Sequence, residues 1–344
     1  MKSIDQGYTQ AMRMSLAPNI LALTVLPTEQ CCFRCDYCYE DFEIGKMQRD
    51  VESGISNLMK TKAPSLSLLN VAWFGGEPLM AKDVIYRLSE TALGLSKKHG
   101  FEFWSTMTTN AYLLDKQTYE KLVDYHVNSF QITLDGIKAD HDSIRKRVDG
   151  EGTFDKIIEN LLAIKTSTHT AEIVLRVHYS PRNWRGVITL VKWLKRNLLD
   201  DERFSVMFRA VGKWGGSNDE NLEVFEDKLD MANVEKILLQ ELLGELPEKQ
   251  DPDNFYVCYA SKANNLVIRA NGGIAKCTVA LSHPNNDVGK INPDGTLTID
   301  QKHFKKWLIG FQTGDLKQLA CPAGAALKTD TSSLKSIPVV ATAA

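Results

Sequence analysis

The chain has 344 residues, 43% of them apolar and 24% charged, and its 41 basic and 43 acidic residues leave a formal net charge of −2. That balance argues against a nucleic-acid binder or a protein held to anionic lipid, and no run approaches the ~20 apolar residues that span a bilayer. The opening MKSIDQGYTQAMRMS lacks the apolar core of a signal peptide, and seven clustered cysteines do not fit a secreted disulfide framework. A cytoplasmic protein is expected, with thiols serving as metal ligands or catalytic groups.

Residues 1–20 read as a lead-in to ILALTVL (20–26), the first strand. Val51, Ile55, Leu58 and Met59 then mark one face of a helix. LLNVAWF (68–74) is a strand, and Val84, Leu88 and Leu95 carry the next helix. FEFWSTMTT (101–109) precedes a helix through Tyr119, Leu122 and Val123. SFQITL (129–134) precedes one with Phe154, Ile157, Ile158 and Leu161, and EIVLRVHY (172–179) one with Ile188, Val191 and Leu194. FSVMFRAV (204–211) is the sixth strand. Six strand-then-helix units predict an α/β domain over 21–215, a parallel sheet with crossover helices. Alternation alone does not distinguish a barrel from an open sheet.

Residues 216–256, a polar stretch and an amphipathic helix (Val234, Ile237, Leu238, Leu242), read as a bridge. In 257–344, LVIRANGGIAKCTVA predicts a hairpin turning at Asn271-Gly272-Gly273, and DVGKINPDGTLTID another at Pro293-Asp294-Gly295. The tail TDTSSLKSIPVVATAA has little to pack and is expected to be mobile.

Four of the seven cysteines fall between Cys31 and Cys38, and three of them, Cys31, Cys35 and Cys38, are spaced CxxxCxxC. Three thiolates on one loop suit three corners of an iron–sulfur cube with the fourth iron open. Zinc would ask for four protein ligands, or a His or carboxylate among three, and the first histidine is His99. Cys32 reads as a packing neighbour. WFGGEPL (73–79), TTNAY (108–112) and QITLDG (131–136) each end a predicted strand, the face on which α/β sheets carry chemistry. By side-chain parity Gln131, Thr133 and Asp135 share one face, as do Arg176 and His178. A polar inner face fits a cavity for a polar ligand.

The CxxxCxxC spacing with Tyr37 before its last cysteine, followed by GGEP, TTN and LDG, resembles the signature of the radical S-adenosylmethionine (SAM) superfamily. HDSIRKRVDGEGTFDKIIENL is similar to its peptide-modifying branch, and the resemblance covers residues 20 to about 215. It implies a partial (β/α)6 barrel and a [4Fe–4S] cluster on Cys31, Cys35 and Cys38, whose open iron chelates SAM. A 5′-deoxyadenosyl radical then takes a substrate hydrogen. It further implies that Gly75, Gly76 and Glu77 contact the methionine ammonium of SAM, with Pro78 holding the turn. Within that frame Asn110 should line the site, although Ala111 replaces the family's usual glycine. Thr133 or Asp135 is expected near the ribose, and Arg176 near SAM's carboxylate or the substrate. His178 reads as a proton acceptor or a structural histidine, and Arg209 as a substrate contact or a surface ion pair. With Asp135 these are the candidate catalytic groups.

Cys258, Gly272 and Cys277 resemble the opening of an auxiliary-cluster domain (SPASM or the shorter Twitch form), here a small unit of β-hairpins and helix. The family's downstream cysteines are depleted: QLACPAGAALKTDT supplies only Cys321, with Gln318, Leu327 and Thr331 where others would stand. Two full auxiliary clusters are thereby excluded. Three readings stay open: one cluster on Cys258, Cys277 and Cys321 with a non-cysteine ligand or an open site, a cluster-free docking platform, or an altered tail.

The resemblance implies a maturase of a ribosomally made precursor peptide, forming a side-chain cross-link (cyclophane or thioether). An electron donor such as flavodoxin or ferredoxin would serve it. The lead-in leaves no room for a leader-binding domain, so a separate leader-binding protein is an expected partner; nucleic acid and membrane are not. One alternative is sulfatase-maturing-type oxidation of Cys or Ser to formylglycine, against which the depleted cysteines argue. Another is a non-catalytic iron–sulfur or zinc scaffold or redox module, which has no use for the Gly75-Gly76 pair.

Overall fold

A computed structural model describes residues 2–246 and 256–328; the tail expected to be mobile lies outside the described residues. Twelve strands occur among them: β1 (Ile20–Val25), β2 (Phe33–Cys35), β3 (Leu68–Trp73), β4 (Glu102–Thr109), β5 (Val127–Leu134), β6 (Arg145–Arg147), β7 (Glu172–Tyr179), β8 (Phe204–Ala210), β9 (Asn265–Ile268), β10 (Gly273–Ala275), β11 (Gly289–Ile291) and β12 (Leu297–Ile299). The main helices are α1 (Lys2–Leu16), α2 (Arg49–Lys62), α3 (Lys82–His99), α4 (Lys116–Asp124), α5 (Lys138–Ile144), α6 (Phe154–Lys165), α7 (Trp184–Asn197), α8 (Lys228–Leu243) and α9 (Gln301–Trp307). None is long and apolar enough to cross a membrane.

The six predicted strands run parallel as β1-β3-β4-β5-β7-β8. Their alternate residues, such as Leu69, Val71, Ile132, Leu175 and Val177, are buried under the helices. The other parity (Asn70, Thr106, Gln131, Val174) is half-buried on the inner face. This is a partial barrel: the sheet does not close, and β12 and β8 are its edges. Helix boundaries follow local chemistry. The Asp115 carboxylate accepts from the Thr118 N–H at 2.7 Å to begin α4, and Gly100, at φ +78°, ends α3 in the left-handed region.

The structure joins what the sequence kept apart. β9 pairs parallel with β1, from Ala22↔Asn265 to Val25↔Ile268, so both predicted hairpins extend the barrel sheet. Without β9, the first strand would offer an unpaired edge beside the site. The bridge supplies α8, which packs against α7 and β8 as the sixth barrel helix.

Beyond β10, Lys276 is fully buried, its ammonium donating to the Lys262 and Asn265 carbonyls (2.5 and 2.6 Å) and lying 4.9 Å from the Phe304 ring centre. Burial pushes its pKa down to about 7. The unfolded chain keeps that proton up to about pH 10.4. Between those values the unfolded state binds more protons, so stability rises with pH through the window and is flat below it. Denaturation midpoints at pH 7 and pH 9 should differ in wild type, and Lys276→Met should shrink the difference.

Candidate functional site

A cleft of about 140 Å3 opens at the C-terminal ends of the central strands, and Cys31, Cys35, Cys38, Gly75, Gly76, Asn110 and Thr133 all line it. The structure thus brings the three thiols together with four of the expected cofactor contacts. The cysteine loop is braced by the antiparallel ribbon β2–β6, which sets Cys35 opposite Arg145. The Cys38 N–H donates back to the Cys35 carbonyl at 3.0 Å.

Gly75 and Gly76 are where this loop comes closest to the sheet. A Cβ on Gly75, at φ +120°, would lie 2.2 Å from the Thr28 carbonyl oxygen, and one on Gly76 would lie 2.5 Å from that of Gln30. The close approach that glycine permits here is to the backbone of the loop itself. Pro78 begins the single helical turn Pro78–Ala81, as expected.

Glu77, expected at SAM's ammonium, lies behind the cleft wall. Its side chain turns inward, fully buried: Oε1 accepts from the Leu79 N–H (2.9 Å) and the Thr109 hydroxyl (2.8 Å), and Oε2 from the Asn110 N–H (2.7 Å). With three donors on it, the carboxylate ties the GGEP turn to the TTN turn behind the cleft wall. Asn110 is fixed further by its Oδ1, which accepts from the Tyr112 N–H at 2.9 Å. Its Nδ2 can then face the cysteine sulfurs, 3.5 Å from Cys32 and 3.9 Å from Cys31. Ala111, in the family's glycine position, sits at φ +61°, a conformation costing about 1–2 kcal/mol for a residue with a Cβ.

The donor set fits a multi-iron cluster. Among the described residues no three His, Cys, Asp or Glu side chains close on a single-ion position. Three thiols line the cleft and no histidine does, which matches in ligand type and number a cluster held by three thiolates. Burial pushes Cys35 up to about 12 and raises Cys38; the hydrogen bond shared with Cys32, and then burial, raise Cys31. The free thiols are therefore protonated, and metal loading must displace protons.

Asp135, expected near the ribose, is not among the cleft-lining residues. It is fully buried, and its Oδ2 accepts from the Tyr37 hydroxyl at 2.6 Å. The same hydroxyl accepts from Arg145 Nη1, also at 2.6 Å, so Tyr37 bridges an acid and a base. Burial still pushes Asp135 up to about 6. Tyr37→Phe removes two charge-assisted hydrogen bonds and is expected to cost about 2–4 kcal/mol in chemical denaturation. Sequence reasoning missed Arg145; it stands in the quoted SIRKR run, where neither period nor spacing marks it.

His178 packs edge-on against the Tyr37 ring at 5.1 Å, and its Nδ1 is 3.7 Å from Asp135 Oδ1, beyond hydrogen-bond reach. Both ring nitrogens are buried without a partner. Burial, then Arg176, Arg145 and Arg209, hold the imidazole well below its ordinary pKa, so it is neutral. Arg176 sits on the inner face of β7, and Arg209 is exposed on β8, paired in register with His178.

Cys258 and Cys277 are half-buried on either side of the β9–β10 hairpin, and Cys321 is exposed. The Cys258 N–H donates to the Leu319 carbonyl at 2.9 Å, drawing the Cys321 segment in. Burial first, then one another's charge, raise the Cys258 and Cys277 thiols.

The sequence profile of the radical SAM superfamily matches residues 25–194. Over 150 residues the chain is 30% identical to the GTP 3′,8-cyclase of Sulfurovum sp., covering 42% of this chain and 44% of that one. Over 134 residues it is 25% identical to the Fe-coproporphyrin III synthase of Methanosarcina barkeri, covering 39% and 31%. The chain thus spans less than half the length of these relatives. Among solved structures it is similar to anSMEcpe with bound AdoMet and Kp18Cys peptide, at 19% identity and a TM-score of 0.59 over 84% of each chain. It is also similar to SuiB of Streptococcus suis bound to precursor peptide SuiA, at 17% identity and 0.60 over 94% of this chain and 74% of that one. At such identity the likeness is one of fold. Residues 25–194, opening on the loop of Cys31, Cys35 and Cys38, are a domain of the radical SAM superfamily, whose cofactors are a [4Fe–4S] cluster and SAM.

Proposed function

We propose that this chain is a radical SAM peptide maturase, which takes a hydrogen atom from a ribosomally made precursor and closes a side-chain cross-link. The extent of the fold likeness carries this reading. The GTP cyclase and the coproporphyrin synthase match 42% and 39% of the chain. SuiB, solved with a precursor peptide, is matched over 94% of it, which takes in most of the chain beyond β8. The half-buried polar inner face, open beside β8, is a second support.

When bound, the cluster and SAM supply an adenosyl radical able to take a hydrogen atom. Cys31, Cys35 and Cys38 would hold the cluster, and Asn110 and Thr133 would meet SAM in the cleft. Gly75 and Gly76 seat the loop, and Glu77 positions Asn110. Arg176, His178 and Arg209 lie on the substrate side, where neutral His178, its nitrogens without a partner among the described residues, is placed to hydrogen-bond substrate rather than to take up a proton. Cys258, Cys277 and Cys321 would hold a second cluster. A flavodoxin or ferredoxin would deliver electrons, and a separate protein the leader.

Anaerobically reconstituted protein given SAM and dithionite is expected to release 5′-deoxyadenosine. With its peptide it should yield a product that has lost two hydrogens per cross-link, read by mass spectrometry. Absence of 5′-deoxyadenosine would overturn the reading.

A further inference from the structure

The inner face of the barrel ends in two arginines that make no ion pair among the described residues. On β7 the inward residues are Val174, Arg176 and His178; on β8 they are Ser205, Met207 and Arg209. The register sets Arg176 opposite Met207 and His178 opposite Arg209, so the two guanidiniums are diagonal neighbours across adjacent parallel strands. They are close enough that Arg209, after burial, disfavours the charge on Arg176. Among the described residues neither has a carboxylate partner, and Arg176 Nε is buried with no hydrogen bond. Asp135, the acid at the end of β5, has its Oδ2 engaged by the Tyr37 hydroxyl, while its Oδ1 makes no hydrogen bond.

Two like charges held side by side without an anion destabilise the folded protein, and such an arrangement fits an incoming anion. The surroundings say which kind. His178, opposite Arg209 in register, packs edge-on against Tyr37 at 5.1 Å, and Tyr37 and Tyr39 line the thiol cleft. The site therefore lies beside the thiol-lined cleft, on the side where the substrate of the proposed reaction must sit. Ser205, Met207 and Arg209 are exposed and β8 is a sheet edge, so an extended chain can enter from that side. Two guanidiniums match one carboxylate in charge and fork geometry; a polyphosphate would call for more.

We infer that Arg176 and Arg209 form a receptor for a carboxylate side chain of the substrate peptide, so that the enzyme selects precursors bearing an Asp or Glu close to the modified residue. This rests on the peptide-maturase reading and adds a specificity determinant to it. SAM also carries a carboxylate. Neither arginine is among the residues lining the cleft in which SAM is placed, which favours the peptide as its source.

The test uses anaerobically reconstituted, SAM-loaded protein and short amidated glycine–serine peptides differing only in a central Glu or Gln. Binding is measured by calorimetry at low salt. Wild type is expected to favour the Glu peptide about tenfold, and that preference should fall to about twofold or less in Arg176→Gln and in Arg209→Gln. Because Arg209 is exposed, its loss does not disturb the core, and the Arg209→Lys variant should keep part of the preference. Equal affinity of wild type for the two peptides, including none for either, overturns the proposal. So does a tenfold loss of SAM affinity with the peptide preference intact, which would assign the pair to SAM. Failure of the peptide-maturase reading is seen separately, as absence of 5′-deoxyadenosine from wild type.

Discussion

Wild-type protein reconstituted anaerobically is expected to hold about eight irons per chain, and the triple variant Cys31→Ala, Cys35→Ala, Cys38→Ala about four. The variant should release no 5′-deoxyadenosine, a loss of the whole catalysed rate, on the order of a millionfold or more. The effect is total because nothing else in the chain can take over: no histidine and no further thiol stands on that loop beyond Cys32. Cys258→Ala, Cys277→Ala, Cys321→Ala should also fall to about four irons, since these thiols stand on segments apart from the Cys31–Cys38 loop. Four irons in wild type, unchanged in that second variant, would leave the auxiliary thiols as a docking platform, and no iron in any sample would sink the cluster assignment. Loading should also depend on pH. Burial raises Cys35, Cys38, Cys258 and Cys277 above their ordinary values, so uptake should be more complete at pH 8.5 than at 6.5.

The parts of the fold legible in the sequence are those with a long local signal. Strands such as Glu172–Tyr179 carry a full outward apolar row, and helices such as Arg49–Lys62 a full buried face, so period alone finds them. The three-residue strands Phe33–Cys35 and Arg145–Arg147 are too short for any period, which hid the brace under the cysteine loop. The parallel pairing of β9 with β1 joins residues 22 and 265, and pairing at that separation leaves no local mark. In the site, residue types were readable and directions were not. Glu77, an acid in a polar strand-end motif, read as facing ligand; only the three donors from its own and the next turn show why it faces inward. In the sequence Tyr37 reads as an aromatic ring, but its hydroxyl, held between Asp135 and Arg145, does the bonding. Parity did place Arg176 and His178 on the inner face, because alternation survives wherever a strand is long.

Replacing Gly76 by Ala is expected to unseat the cysteine loop, with iron at that site and SAM affinity each falling more than about tenfold. Stability should drop by about 3 kcal/mol, the upper part of the usual range for overpacking. The new Cβ would lie 2.5 Å from the Gln30 carbonyl oxygen and 2.7 Å from both the Gln30 carbonyl carbon and the Glu29 carbonyl oxygen. All three are backbone atoms, so no side chain can rotate to make room, and the loop must lift. Lifting stretches the 2.9 Å hydrogen bond from the Glu77 N–H to Gln30, which fastens loop to turn. Unlike Gly75, Gly76 does not have a positive φ, so alanine meets no backbone strain there and the contact alone is tested. Gly94 provides the control. It lies exposed within α3 with nothing within 4 Å of an added Cβ, so Gly94→Ala should instead stabilise by about 0.5–1 kcal/mol and leave iron content unchanged. Denaturation midpoints, iron assay and SAM titration on the two variants separate a general response to alanine from the loss of a seat. Wild-type iron content and SAM affinity in Gly76→Ala would show that the loop is held some other way.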